Sequence, residues 1–315
     1  MAISYDMNHA DGDAPRPRIG LLGTGPWAHR THAPAIAAHP GSEFAGVWGR
    51  NPEAAAQLAA AHGVKVYESP EALFADCDVA AFALPPDVQA PLAVRAAEAG
   101  LHLLLDKPIA TDPVAARALA DAVTAHKVAS VVFLTLRFAD PAAGWIAERA
   151  ARPGWFTAQA HWLGAVFPTD GGPGGTLDSP WRREKGGLWD VGPHALSVLL
   201  PILGEVTEVT ARPGPADVTH LVLRHASGAS STATLSLCAP PAGSGVGVEV
   251  RGTEGVFTLP DWNDVPGAFG RALEALLVAA RTGTPDPRDA RFGLRLTEIL
   301  AAAESSLADG APRPV

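Results

Sequence analysis

Asp106-Lys107-Pro108 is where charge, stiffness and position coincide in this chain. The apolar run Leu101-His102-Leu103-Leu104-Leu105 reads as a buried strand, and Pro108 ends its ladder, so the strand delivers an ammonium group to its carboxyl end. In an open parallel sheet that end is where ligands bind. An isolated Lys-Pro pair is more commonly a surface lysine after a strand, but three further groups change the reading. Gly23-Thr24-Gly25-Pro26-Trp27-Ala28 follows the strand-like run 19–23 and opens a helix, the context in which a glycine fingerprint seats a pyrophosphate on a helix amino terminus. The first two glycines allow a tight turn and close backbone approach, Pro26 suits a first helical turn, and Ala28 lets helix and strand pack closely. Leu84-Pro85-Pro86-Asp87 ends another strand at the same edge, where its prolines form either a wall beside a nicotinamide ribose or simply a rigid turn.

The third group is Gly186-Gly187-Leu188-Trp189-Asp190-Val191-Gly192-Pro193-His194. Asp190 and His194 stand four residues apart, which on one continuous helix is about 40° of rotation and about 6 Å of rise, so both would share a face. Three readings stay open: a capping carboxylate with a packed histidine, a catalytic pair, or two metal ligands. No third and fourth ligand stand in matching positions, so metal is the weakest. Pro193 leaves the start of the helix unfixed.

After the second strand the chain reads Trp48-Gly49-Arg50-Asn51, without the Asp or Glu that an NAD-specific site places on the ribose hydroxyls. Arg50 can pair with a 2′-phosphate or stack over adenine, which favours NADP over NAD; the alternative is a solvated arginine before a helix.

The elements that must position these groups follow from the pattern. The chain has 315 residues, 47% of them hydrophobic, enough for two cores. Residues 1–17 read as a loose polar tail without the apolar stretch of a signal peptide, 18–138 as a dinucleotide-binding domain, and 139–315 as a second, substrate-binding and oligomerisation domain. In the first, strands at 19–23, 44–48, 79–84, 101–105 and 128–134 alternate with helices at 53–62, 88–99 and 113–126, the βαβ pattern of a parallel sheet. In the second, a helix at 141–151 and a strand at 156–163 lead to a Gly/Pro-rich loop at 164–187, long enough to be functional. A helix at 188–203, short strands near 206–211, 218–225, 230–237, 246–252 and 256–259, and helices at 268–282 and 289–307 complete an α+β domain with an open, mostly antiparallel sheet. A formal net charge of −9 and the absence of a basic run exclude a nucleic-acid footprint. No run of about eighteen uncharged apolar residues predicts a membrane span. Cys77 and Cys238 form no metal spacing and fit a reducing compartment as small buried residues, so the expectation is a cytoplasmic protein.

Taken in order, Gly23-Thr24-Gly25, Leu84-Pro85-Pro86-Asp87, Asp106-Lys107-Pro108 (for Glu-Lys-Pro) and Asp190-Val191-Gly192-Pro193-His194 (for Asp-x-Gly-x-His) resemble the Gfo/Idh/MocA family of NAD(P)-dependent oxidoreductases, from Arg18 to about Leu307. The resemblance implies a Rossmann domain followed by an α/β domain whose open sheet forms the interface of a homodimer or homotetramer. It also implies that Lys107, Asp190 and His194 surround a substrate carbon facing the nicotinamide. Gln89 stands where many members have histidine, Asp106 replaces the usual glutamate, and Ser197 takes a position where many have aspartate, which points to different substrate contacts. Arg137 resembles the arginine that opens the family's second domain.

The leading expectation is reversible oxidation of a secondary alcohol on a sugar, cyclitol or related polyol, with His194 as base, Lys107 stabilising the alkoxide and Asp190 orienting either partner. Cofactor contacts are expected from Gly23, Thr24, Gly25, Pro26, Trp27, Gly49, Arg50, Asn51, Leu84, Pro85, Pro86, Gln89, Asp106 and Lys107. Substrate contacts are expected from Arg137, from Trp162, Trp181 or Trp189 stacking on a sugar, and from Arg182 or Arg183 binding an anion; packing tryptophans and a solvated basic turn are the plainer reading. A hydrolase or lyase that retains its NAD(P), and a non-enzymatic nucleotide sensor of the same fold, are the competing functions.

Overall fold

Short runs of Leu, Val, Ile and Ala, buried on both sides, build the first sheet. The computed structural model describes residues 15–168, 172, 174–175 and 177–315; the tail expected over 1–17 lies outside them up to residue 14, as do 169–171, 173 and 176 of the expected loop. Strands β1 (Arg18–Leu22), β2 (Glu43–Trp48), β3 (Lys65–Val66), β4 (Val79–Phe82), β5 (His102–Asp106) and β6 (Ser130–Phe133) are all parallel, in the order β3-β2-β1-β4-β5-β6. Burial is nearly continuous along β1, β4 and β6, as a parallel sheet covered on both faces requires. β3 has no counterpart in the sequence reading, because two exposed residues leave no apolar signal.

The connections are a π turn (Ala28–His32) running into α1 (Ala33–Ala38), then α2 (Pro52–His62), α3 (Pro70–Phe74), α4 (Pro86–Glu98) and α5 (Pro113–His126). Four of these helices open on proline, whose missing N–H has no intrahelical partner to lose at that position. Asn51 caps α2 by accepting the N–H groups of Glu53 and Ala54 at 3.0 and 3.2 Å.

Contacts divide the chain into two units, and the division differs from a cut after residue 138. Residues up to Ala110, Val114–Phe133 and Val265–Leu294 form unit 1; Thr111–Pro113, Leu134–Asp264 and Arg295–Val315 form unit 2. The return of 265–294 to unit 1 has a packing cause. Helix α9 (Val265–Thr282) buries Ala268, Phe269, Ala272, Leu273 and Leu276, and Phe269 meets Phe133 of β6 edge-on at 5.0 Å. Val132 N–H donates to the Arg288 carbonyl at 2.7 Å, and Ala290 N–H to the Ser130 hydroxyl at 3.0 Å.

Unit 2 holds β7 (Trp155–Leu163), β8 (Val206–Pro213), β9 (Thr219–His225), β10 (Ser230–Ser236), β11 (Gly245–Gly252), β12 (Gly255–Thr258) and β13 (Arg313–Pro314), in the order β12-β11-β7-β10-β9-β8-β13. In this second sheet only the β7–β10 pairing is parallel among the described strands. β9 alternates buried Thr219, Leu221, Leu223 and His225 with exposed neighbours, so one face of the sheet is packed and the other solvated. The helices are α6 (Ala142–Ala150), α7 (Pro180–Asp190), α8 (Gly192–Leu203) and α10 (Ala290–Leu307), the last entering from unit 1 at residue 294. α8 is buried nearly all round.

One expectation is corrected here. Instead of a single helix over 188–203, α7 starts at Pro180, inside the segment expected to be loop, and stops at Asp190. Val191 (φ −107°, ψ −16°) separates it from α8, because Pro193 in the first turn has no N–H to continue the α7 ladder. Asp190 therefore closes one helix while His194 lies in the first turn of the next, and the one-helix spacing argument does not apply to them. Among the described residues no helix is long and apolar enough to cross a membrane.

Candidate active site

Parallel pairing brings the ends of β1, β2, β4 and β5 out at one edge of the unit 1 sheet, where 23–25, 49–51, 83–86 and 106–107 lie. Gly23 N–H donates to the Trp48 carbonyl at 2.8 Å. Its φ is +123°, and a Cβ there would lie 2.3 Å from the Ala83 carbonyl oxygen, so only glycine closes this turn. At Gly25 a Cβ would meet nothing within 4 Å. The turn thus has open room beside backbone N–H groups entering a helix, which fits a dinucleotide pyrophosphate. Thr24 packs against Gly49, where a Cβ would come within 2.6 Å of Thr24 Cγ2. Arg50 is exposed, and the Asn51 side-chain oxygen is taken up in capping α2.

The Asp106-Lys107-Pro108 corner is held from inside the unit. Gln89, expected to contact the cofactor, is instead fully buried. Its amide donates to the carbonyls of Asp106, Pro108 and Ile109 at 2.9, 3.3 and 3.4 Å and accepts Asp106 N–H at 2.9 Å, which fixes the corner's main chain. Lys107 is half-buried, its peptide to Pro108 is cis, and its N–H donates to Asp106 Oδ1 at 2.8 Å. His32, which the sequence reading passed over, lies 3.7 Å through Nε2 from Asp106 Oδ2. Pro86 is buried in the first turn of α4, while Leu84 and Pro85 are half-buried beside the same edge.

In unit 2 the structure brings His194, Trp162, Asp190 and Arg182 into paired contacts. The His194 ring lies nearly parallel to Trp162, 4.5 Å between centroids at 17°, and Trp262 meets the same indole at 6.0 Å. Trp162, expected to stack on a sugar, thus presents a face to the imidazole. Trp262 was missed, since it stands alone in a polar loop. Asp190 is buried and pairs with Arg182 Nε at 3.1 Å; Arg182 also donates to the Leu177 carbonyl and Ser179 hydroxyl and lies 4.7 Å over the half-buried Trp181. Arg183 is engaged through Nε and Nη2 in a fork with Asp178 (2.8 and 2.5 Å), which lowers that carboxyl's pKa. Trp189 is 0% exposed, so it belongs to the core and cannot stack on a substrate. Ser197 is buried too, its hydroxyl donating to the His194 carbonyl at 2.7 Å, while Arg137 donates to the Ser197 carbonyl at 3.2 Å.

A residue without any sequence signal sets the approach to Asp190. Asp217, in the β8–β9 turn, accepts the N–H groups of Gly187, Leu237 and Cys238 at 3.0, 2.8 and 3.1 Å and the Ser236 hydroxyl at 2.5 Å. It holds α7 against β10 where Gly186 turns at φ +61° and where a Cβ on Gly187 would lie 2.6 Å from Ser236 Cα. Burial pushes the thiols of Cys77 and Cys238 up to about 11, which makes both poor nucleophiles. Among the described residues no group of three His, Cys, Asp or Glu is placed to hold a metal.

Two family models match the chain: "Oxidoreductase family, NAD-binding Rossmann fold" over residues 17–134 and "GFO/IDH/MocA C-terminal domain" over 159–258. The oxidoreductase YdgJ of Escherichia coli K12 is 31% identical over 232 residues, 66% of this chain and 62% of that protein. The UDP-N-acetylglucosamine 3-dehydrogenase of Acidithiobacillus ferrooxidans is 36% identical over 102 residues, 32% of each chain. The matched stretches thus span less than two thirds of these relatives. The crystal structure of GenD2 from gentamicin A biosynthesis, in complex with NAD, superposes with a TM-score of 0.82 over 98% of both chains at 22% identity, which establishes the shared fold.

Proposed function

The chain belongs to the Gfo/Idh/MocA family of oxidoreductases, and on that premise we propose that it interconverts a secondary alcohol and a ketone on a sugar, cyclitol or related polyol, using NAD(P). The observation that carries this reading is the edge of the unit 1 sheet, where the open glycine turn after β1 and Lys107 after β5 emerge together. The substrate class is supported by the relative that acts on UDP-N-acetylglucosamine.

NAD(P), when bound, supplies the acceptor or donor of hydride. Thr24, Gly25 and Trp27 would hold its pyrophosphate through main-chain N–H groups, since Gly23 N–H is taken by the Trp48 carbonyl and Pro26 has none, and Arg50, with no carboxylate at 48–51, gives NADP the advantage over NAD. In the oxidation direction His194, its ring held in place by stacking on Trp162, takes the proton of the substrate hydroxyl. Lys107 stabilises the alkoxide that precedes the ketone. Asp190, in its pair with Arg182, orients the substrate hydroxyls. Arg137, Trp162, Trp181 and Arg182 supply the remaining substrate contacts.

A panel of sugars, cyclitols, sugar acids and nucleotide sugars, each offered with NAD and with NADP, tests this. Formation of reduced nicotinamide with a panel member is expected, and a ligand that binds only the folded state raises its melting temperature. Lys107→Met is expected to lower that turnover by about a hundred- to a thousandfold while leaving cofactor affinity intact. Turnover of a panel substrate without net reduction of retained cofactor would instead establish transient oxidation, and wild-type turnover by Lys107→Met would remove the assignment.

A further inference from the structure

Beneath the glycine turn lies a histidine that the proposed reaction does not use. His32 ends the π turn Ala28–His32, is 0% exposed, and is ringed by Phe269, Phe133 and Trp27 at centroid distances of 4.3, 6.2 and 6.4 Å. Burial drives its pKa from 6.5 down to about 3, with the carbonyls of Trp27 and Phe82 opposing only in part. The ring is therefore neutral near pH 7 and carries a single N–H.

Its nitrogens face different groups. Nδ1 lies 3.4 Å from the Trp27 carbonyl oxygen; Nε2 has no hydrogen-bond partner and lies 3.7 Å from Asp106 Oδ2. That separation exceeds a hydrogen bond by about half an ångström, and hydrogen bonds in a site without its ligands are commonly longer than in the complex. Against the carbonyls of Trp27 and Phe82, the Asp106 carboxylate is the stronger acceptor for the one N–H. The other carboxylate oxygen already accepts Lys107 N–H at 2.8 Å. A buried nitrogen without a bond costs about 1–3 kcal/mol, and an aliphatic side chain in the same aromatic surround would carry no such cost.

We propose that His32 is a positioning residue: by its backbone it belongs to the turn that follows the two glycines, and by Nε2–H it serves Asp106, so that this turn and the main chain of Lys107 are held as one unit. Gln89 grips the same corner from the α4 side. The inference rests on the assignment of residues 23–27 to the cofactor.

A double-mutant cycle on NAD affinity, measured by titration calorimetry on the full chain, tests it. His32→Leu and Asp106→Asn are each expected to weaken NAD about tenfold, and the double variant no further, since residues acting through one contact are not additive. His32→Gln, which can place an amide N–H near the position of Nε2, is expected to recover affinity to within about threefold of wild type, whereas the shorter His32→Asn is not. Losses that multiply in the double variant, or equal affinity of the Gln and Asn variants, would overturn the proposal. If His32→Leu does not fold, the Gln and Asn pair carries the test. The cycle reads cofactor binding alone, so full activity of Lys107→Met would undo the catalytic reading without touching it.

Discussion

Removing Asp217 takes away the acceptor around which the approach to Asp190 is built. In Asp217→Ala four donors lose a charged partner. The Ser236 hydroxyl can rotate, and Cys238 N–H keeps the Ser236 hydroxyl oxygen at 3.0 Å. Gly187 and Leu237, both buried, have Asp217 Oδ2 as acceptor at 3.0 and 2.8 Å. An orphaned buried N–H costs about 1–3 kcal/mol, so two of them with a weakened third amount to about 4 kcal/mol. With an unfolding entropy of about 2.1 cal/mol/K per residue over a unit of about 150 residues, the melting temperature of unit 2 is expected to fall by about 13 °C. Asp217→Asn separates hydrogen bonding from bulk. Its remaining oxygen can serve Gly187 and Leu237 while the amide nitrogen turns to the Ser236 hydroxyl, so only the Cys238 contact is lost, about 1 kcal/mol and about 3 °C. Calorimetric melting of wild type and both variants, with NAD titration alongside, measures this; NAD affinity is expected to be unchanged, since residues 23–27 and Asp217 belong to different units. An Ala variant as stable as wild type, or an Asn variant less stable than the Ala variant, would refute the role given to Asp217.

Two further outcomes are expected. Arg50→Ala weakens NADP about tenfold or more and NAD little, as read by parallel titrations; equal losses for the two would discredit the preference for the 2′-phosphate. Acidification destabilises the fold earlier than its carboxylates require, because His32, His102 and His225 all have pKa values lowered first of all by burial. The unfolded chain then binds more protons than the folded one, so this contribution is complete above about pH 6.5 and is lost as pH falls toward the folded values, about 3 for His32. At pH 5.5 His32 alone accounts for about 1 kcal/mol, seen as a lower urea midpoint than at pH 7.5; identical midpoints would contradict its burial as a neutral ring.

The first sheet was legible, apart from the two-residue β3, because its longer strands announce themselves. Leu101 to Leu105 before Asp106, and the glycines after Ile19 to Leu22, mark a buried parallel strand and its ligand edge without any tertiary knowledge. Lys107, Asp190 and His194 were legible as residue types, but their arrangement was not. A four-residue spacing says nothing of a helix break, and the break at Val191 depends on how Pro193 starts α8. His32 was hidden because a lone histidine on the apolar face of a first helix looks like core, which by burial it is; its meaning comes from Asp106, seventy-four residues away in sequence. Asp217, in a Gly/Pro/Ala turn, gives no local sign of the four donors it gathers from α7, the end of β10 and the two residues after it. The assignment of α9 to unit 1 was equally invisible, since its amphipathic face fits any apolar surface until Phe269 is seen against Phe133 and His32.

Whether the ammonium of Lys107 and the imidazole of His194 serve one transition state is tested most directly by single-turnover reduction of NAD(P) with a panel substrate, in wild type, Lys107→Met, His194→Asn and the double variant. Each single variant is expected to be slower by at least about a hundredfold with cofactor still bound, and the double variant no slower than the slower single one, as for groups acting together. Losses that multiply, or a single variant that reduces the cofactor at the wild-type rate, would contradict a shared role.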